Sequence, residues 1–181
     1  YPTKPVGPVL SSDVVMTADW DIAETGIGPR RVVASPLPMR VLDLQVIQKL
    51  VELKAVVICG GGGGIPVVKK EKHYVGVPAV VDKDRLSSLL AIELEADALI
   101  ISTAIDCVKT GFGSESEISH NHLTIDQCEQ FLEQGEFPPG SMGPKIGSLM
   151  EASLHNPKCK AILCQPGDAL KALRGEAGTT I

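Results

Sequence analysis

Three features of the sequence predict an α/β fold with a mainly parallel sheet covered by helices on both faces. Short, continuous apolar runs recur along the chain: "AVVICG" at residues 55–60, "ALIIST" at 98–103 and "KAILCQ" at 160–165. Strands buried on both faces of a parallel sheet have this composition. Between them lie longer segments with apolar residues at helical spacing, and alternation of the two kinds is the pattern of an α/β layer architecture. Directly after the first run's Cys59 come five consecutive glycines, Gly60, Gly61, Gly62, Gly63 and Gly64. Ligands of open α/β sheets sit beyond the carboxyl ends of the strands, so this run is the first place to look for a site.

The elements follow in order. Residues 1–40 hold Pro2, Pro5, Pro8, Pro29, Pro36 and Pro38 and are expected to be mostly loop, with a short strand in "RRVVASP". Leu42, Val46, Leu50 and Leu53 recur on one helical face, which predicts an amphipathic helix before the buried strand "AVVICG". Residues 74–81 are β-branched and compact; residues 83–96 carry Leu86, Leu89, Leu90 and Leu94 on one helical face, which predicts a helix. After "ALIIST", Thr124 followed three residues later by Gln127 is a capping-box spacing and opens a helix over 124–134. "GSMGPK" at 140–145 is predicted as a turn, with helices over 147–155 and 167–173 on either side of "KAILCQ".

Composition narrows the function. A chain of 181 residues, 44% hydrophobic and 22% charged, is expected to build one sizeable core. Its net charge of −5 and the lack of a long basic tract argue against nucleic acid. No apolar run approaches a membrane span, and "YPTKPVGP" has neither the charged start nor the apolar middle of a secretory signal, which predicts a cytoplasmic protein. The first residue is Tyr1, as in a processed, trimmed or incomplete chain. The five cysteines, Cys59, Cys107, Cys128, Cys159 and Cys164, are widely spaced and fit free thiols in a reducing compartment. "HNH" at 120–122 lacks the further ligands of a zinc site.

Chemistry concentrates in three loops. A glycine run exposes backbone N–H groups that can cradle anionic oxygens, although a flexible turn explains such a run equally well. "VVDKD" delivers Asp82, Lys83 and Asp84 at a helix start, and "GSMGPK" delivers Lys145. A lysine is a mobile point charge suited to phosphate oxygens, and a neighbouring carboxylate can orient it or hold Mg²⁺. Each lysine alone reads as a solvated surface charge whose loss spares the fold. Together the parts suit phosphoryl transfer, which depends on positioning and charge neutralisation.

These segments, with "YPTKPVGP", "RRVVASPLP", "CGGGGGIPVV", "GVPAVVDKDRLSSLLA", "ADALIISTAIDCV", "FPPGSMGPK" and the terminal "GTTI", resemble the carbamate kinases of the amino acid kinase family, in the family's order from Tyr1 to Ile181. The resemblance implies a three-layer αβα sandwich and reversible phosphoryl transfer between ATP and carbamate, giving ADP and carbamoyl phosphate. It also implies Mg²⁺ as cofactor, a homodimer, and a role in arginine metabolism. Residues 1–40 would form part of a protruding substrate-side subdomain, completed by residues 20–31, and 41–181 the nucleotide-binding portion. By resemblance Lys4, Lys83 and Lys145 contact substrate and phosphates, and Asp84 holds the lysines. Gly61, Gly62, Gly63 and Gly64 line the phosphoryl site, while Thr103, Asp106, Met142 and Gly143 join Lys145 around the nucleotide. No side chain is assigned to the metal. Core filling is an equal reading of Met142, and a helix cap of Asp106. The sequence departs from the family at Val41-Leu42-Asp43, where a shorter acid stands, and at Lys109 near the purine. It also lacks the opening strand and G-G-N-A loop of the family, which leaves a second reading: a non-catalytic module or fragment that keeps the fold and binds nucleotide.

Overall fold

The computed structural model describes residues 1–138 and 140–181, so Pro139 of "FPPGSMGPK" lies outside the described residues. The backbone divides into two compact units, one of Tyr1–Pro38 with Ile58–Lys83, the other of Met39–Val57 with Asp84–Ile181.

The first unit is antiparallel. β1 (Lys4–Val6), β2 (Ile22–Thr25) and β3 (Gly28–Val33) form a sheet in the order β1-β3-β2, with α1 (Ser12–Thr17) between the first two strands in sequence. Much of the segment expected to be loop is therefore ordered. Its prolines are accommodated at strand positions that tolerate a missing N–H or outside the elements. The β2–β3 turn is closed by the Thr25 hydroxyl, which donates to the Gly28 carbonyl at 2.6 Å. Arg30 ties the sheet to the Gly7 carbonyl at 2.6 and 3.0 Å, and the Arg31 guanidinium stacks over Trp20 at 5.2 Å. β4 (Val67–Lys70) and β5 (His73–Gly76) make a hairpin whose turn places Glu71 at a left-handed φ of 52°. Past it, the Val80 N–H donates to the Ala34 carbonyl at 2.9 Å, which carries the chain alongside the end of β3. Val32, Val33 and Val81 are buried here.

The second unit holds the larger core. It contains α2 (Leu44–Glu52), all but the first residue of α3 (Lys83–Glu93), β6 (Ala98–Ser102), β7 (Val108–Thr110), β8 (Ile118–His120), α4 (Ile125–Glu133), α5 (Met142–His155), β9 (Lys160–Cys164), α6 (Ala169–Leu173) and β10 (Thr179–Thr180). β6 and β9 pair in parallel from Ala98↔Lys160 to Ser102↔Cys164, and β10 adds to β9 antiparallel. Alternate side chains split between two clusters: Leu99, Ile101, Ala161 and Leu163 pack with Ile146, Leu149 and Ala152 of α5, whereas Ile100, Ile162 and Cys164 pack with Ala172 and Leu173 of α6. Period-two alternation against a helix on each side explains why these strands are apolar throughout. Gly178 has a φ of 76°, and a side chain there would overlap the Leu163 carbonyl oxygen, so β10 approaches β9 only because that residue is glycine.

Several expectations are revised. The sheets are mixed rather than mainly parallel: among the described strands β6–β9 is the parallel ladder, and the other pairings are antiparallel. "AVVICG" is not a buried strand. Among the described residues it joins no strand ladder, and Val56 is 95% exposed. In "GSMGPK" only Gly140 and Ser141 form a turn, and Met142–Lys145 begin α5, since proline in a helix's first turn removes an N–H that has no intrahelical partner anyway. On α3 the buried line runs through Asp84, Ser88 and Ala91, while Leu86, Leu89, Leu90 and Leu94 are half-buried.

Candidate functional site

The first unit presents a lysine, a carboxylate and the glycine run. Lys4 on β1 donates to Asp82 Oδ2 at 3.1 Å, and Asp82 is buried. The Lys4↔Val33 register and the Ala34↔Ala79 bridge explain the meeting, because both segments run along β3 and its continuation. Gly60 closes the glycine turn by accepting from the Gly63 N–H at 2.8 Å and from the Gly64 N–H. Gly60, Gly61, Gly63 and Gly64 all have φ between 48° and 138°. A side chain on Gly63 would overlap the Val81 carbonyl oxygen, whereas Gly61 and Gly62 face open space. At Gly63 the group that approaches the backbone is therefore the chain itself, one residue before Asp82. Lys83 follows as the exposed first residue of α3.

The second unit joins Asp84 to Lys145. Lys145 in the second turn of α5 donates to Asp84 Oδ2 at 2.8 Å, and the two side chains are only 13% and 8% exposed. Starting α5 at Met142 instead of 147 is what turns Lys145 onto this carboxylate. Among the nucleotide candidates, Gly143 N–H donates to the Pro138 carbonyl at 3.0 Å, and Met142 packs on the core cluster, in line with its core-filling reading. Thr103 N–H extends the β6–β9 ladder to the Cys164 carbonyl at 2.9 Å. Asp106 lies in no helix; its Oδ1 accepts from the Cys107 N–H at 3.0 Å, and its side chain is largely exposed. Thr103 and Asp106 are thus bonded to groups other than Asp84 and Lys145.

Lys109 is held by carboxylates. It reaches Glu117 at 3.0 Å and Asp106 at 3.9 Å, and these partners raise its pKa, the Glu117 hydrogen bond most of all. The Gly113 N–H and then Lys109 hold Glu117 below the usual carboxylate range. Burial pushes the Cys128 thiol from its ordinary 9.0 up to about 11, and raises Cys159 and Cys164 as well. These thiols are therefore inert fillers, whereas Cys59 beside the glycine run is exposed.

Sequence reasoning missed Asp82 as the partner of Lys4. The alternation in Asp82-Lys83-Asp84 was the available signal, since consecutive charges at the start of a helix point in different directions and take different partners. Among the described residues no group of three or more His, Cys, Asp or Glu side chains gathers as a metal site, and no helix is long and apolar enough to cross a membrane.

The fold is an α/β one in which two lysines are each bonded to an aspartate. The chain belongs to the amino acid kinase family, whose model matches residues 9–163. It is 39% identical to the carbamate kinase of Clostridium perfringens and 38% identical to that of Staphylococcus haemolyticus, each over 99% of this chain. It is 40% identical to the carbamate kinase-like protein YahI of Escherichia coli. Among solved structures, the carbamate kinase of Giardia lamblia bound to AMP-PNP superposes over 99% of this chain with a TM-score of 0.89 at 33% identity. The chain spans about 60% of the length of these relatives.

Proposed function

We propose that the chain forms part of a phosphotransferase that moves a phosphoryl group reversibly between ATP and carbamate, giving ADP and carbamoyl phosphate. The observation that carries this reading is the nearly enclosed Lys145–Asp84 pair at 2.8 Å, in a chain 38–39% identical to proteins named carbamate kinase. Phosphoryl transfer is accelerated mainly by fixed charge near the transferring group. An ammonium has three N–H donors, so one anchored on a carboxylate still presents others to phosphate oxygens.

In this reading Lys4, Lys83 and Lys145 neutralise substrate and phosphate charge, and Asp82 and Asp84 fix the ammonium positions. Gly61 and Gly62 offer N–H groups to the phosphoryl site, with Gly63 and Gly64 lining it through the turn they close on Gly60. Thr103, Asp106, Met142 and Gly143 surround the nucleotide. Residues 1–40 serve the substrate side and 41–181 the nucleotide side of a three-layer αβα sandwich. Asp82 and Asp84 each accept from a lysine, so they are poor ligands for a metal held by the protein. Mg²⁺ fits only as the counter-ion that ATP brings, and no step is routed through it. The reading extends to a cytoplasmic homodimer in arginine metabolism.

The similarity to YahI, a carbamate kinase-like protein, favours a second reading as a nucleotide-binding module without turnover. ADP release from ATP, measured on the full gene product with and without carbamate, separates them. Carbamate-dependent release that falls a hundredfold or more in Lys145→Ala, the loss expected for one preorganised charge of about 3 kcal/mol, supports the enzyme. AMP-PNP binding without release supports the module, and neither result leaves both readings without support.

A further inference from the structure

Arg30 and Arg31 are neighbours on β3 with different surroundings. Arg30 donates from Nε and Nη2 to the Gly7 carbonyl. Arg31 points to the opposite face of the strand, and its guanidinium reaches no acceptor among the described residues. Its Nε–H is enclosed without a partner, while the terminal Nη groups stay open to solvent. Trp20 covers one face of the guanidinium at 5.2 Å. An enclosed donor without an acceptor costs free energy, and here the cost accompanies a charged head that is held flat against an indole with its Nη edge presented outward. The strand register sets a second cation beside it. Val6 stands opposite Arg31 and Lys4 opposite Val33, so Lys4 and Arg31 share one face of the sheet as diagonal neighbours. Lys4 is bonded to Asp82 at 3.1 Å. Glu24, opposite Pro29 on the same face, is exposed and forms no ion pair with Arg31.

We propose that Arg31 anchors the small substrate by its carboxylate, gripping both oxygens with the Nη edge while Trp20 fixes the plane of the guanidinium and Lys4 lies to one side. The proposal deepens the kinase reading and rests on it. A guanidinium matches a planar CO2⁻ group with two parallel hydrogen bonds, which the point charge of an ammonium cannot do. The same edge also fits phosphate, and the charge balance of the face decides between the two. Lys4 and Asp82 neutralise each other, so the charge left over beside them is the single one of Arg31, which suits a monoanion such as carbamate better than a phosphate dianion. The two neighbouring arginines then divide their work: Arg30 ties the sheet together, and Arg31 is left for the ligand.

The test compares Arg31→Met and Arg31→Lys with the unsubstituted full gene product. Methionine keeps an apolar stem against Trp20 and loses every N–H; lysine keeps the charge and loses the fork. Both are expected to raise KM for carbamate about tenfold or more, the worth of a charged hydrogen bond, while KM for ATP and the exchange protection of β1 and β3 stay as they were. A second readout needs no turnover. The Nε–H resonance of Arg31, identified by its absence from Arg31→Lys, is expected to shift saturably with acetate and far less with inorganic phosphate at equal concentration. The proposal is overturned by an unchanged carbamate KM in Arg31→Met, by a parallel rise in KM for both substrates, by full recovery with lysine, or by an Nε–H signal that acetate moves no more than phosphate does. Should the unsubstituted protein transfer no phosphoryl group, the kinase reading fails by itself, and the acetate titration still decides whether Arg31 holds a carboxylate.

Discussion

Lysine 145 shows how burial changes what a charged residue does. Read from the sequence it is a solvated ammonium whose removal spares the fold, but its side chain is 13% exposed and is bonded to an Asp84 that is 8% exposed. Removing one member of a buried pair leaves the other charge uncompensated. Lys145→Ala is therefore expected to lower unfolding free energy by about 3 kcal/mol in urea titrations, with Asp84→Asn/Lys145→Met recovering most of that loss and none of the activity. Recovery of activity in the double variant would remove Lys145 from the chemistry. The glycines divide in the same way. Gly63→Ala meets a φ of 138° and the Val81 carbonyl, and is expected to cost at least 1–3 kcal/mol, roughly the range for a strained backbone. Gly62→Ala has open space and no left-handed φ, so stability should change by less than about 0.5 kcal/mol. A loss of AMP-PNP binding in Gly62→Ala alone would mark a ligand cradle, and normal binding would leave the run as a turn.

Elements were legible from the sequence where a local rule decides them. Thr124 and Gln127 form both bonds of the capping box, at 3.2 and 2.9 Å, because the motif needs only four residues to close. Thr124→Ala is expected to cost about 1 kcal/mol, measured by thermal unfolding, and an unchanged midpoint would deny the cap any role in stability. β6 and β9 were legible for the same kind of reason: an unbroken apolar run needs cover on both faces, and α5 and α6 provide it. Where a neighbour decides, the pattern misled. "AVVICG" has the composition of a buried strand, but pairing is a property of two strands, and among the described residues no strand is paired with it. The β7–β8 hairpin was not foreseen because its strands are three residues each and hold polar side chains. Their position comes from Thr179, which accepts from the Val108 N–H at 2.8 Å and donates to the His120 carbonyl, 59 residues away in sequence.

Across the whole molecule, apolar burial is unequally shared between the two units. Every residue of the two core clusters belongs to the unit of Met39–Val57 and Asp84–Ile181. The other unit buries Val32, Val33 and Val81 and relies on antiparallel ladders, the Arg30 tie and the Arg31–Trp20 stack. Composition could not reveal this, since both units are rich in valine and isoleucine and differ in what those residues touch. Regions with few buried apolar groups open at lower free energy than the core, and amide exchange reads those openings directly. The amides of β1, β2 and β3 are therefore expected to exchange at least tenfold faster than those of β6 and β9, in a separate cooperative step and well below the denaturant that unfolds the core. Val33→Ala should widen the gap by speeding exchange in β1 and β3 while leaving β9 unchanged, because Val33 is one of the few buried apolar residues of the smaller unit. A single exchange transition shared by β3 and β9, shifted as one by Val33→Ala, would show that the chain opens as one cooperative body and that the uneven burial has no energetic consequence.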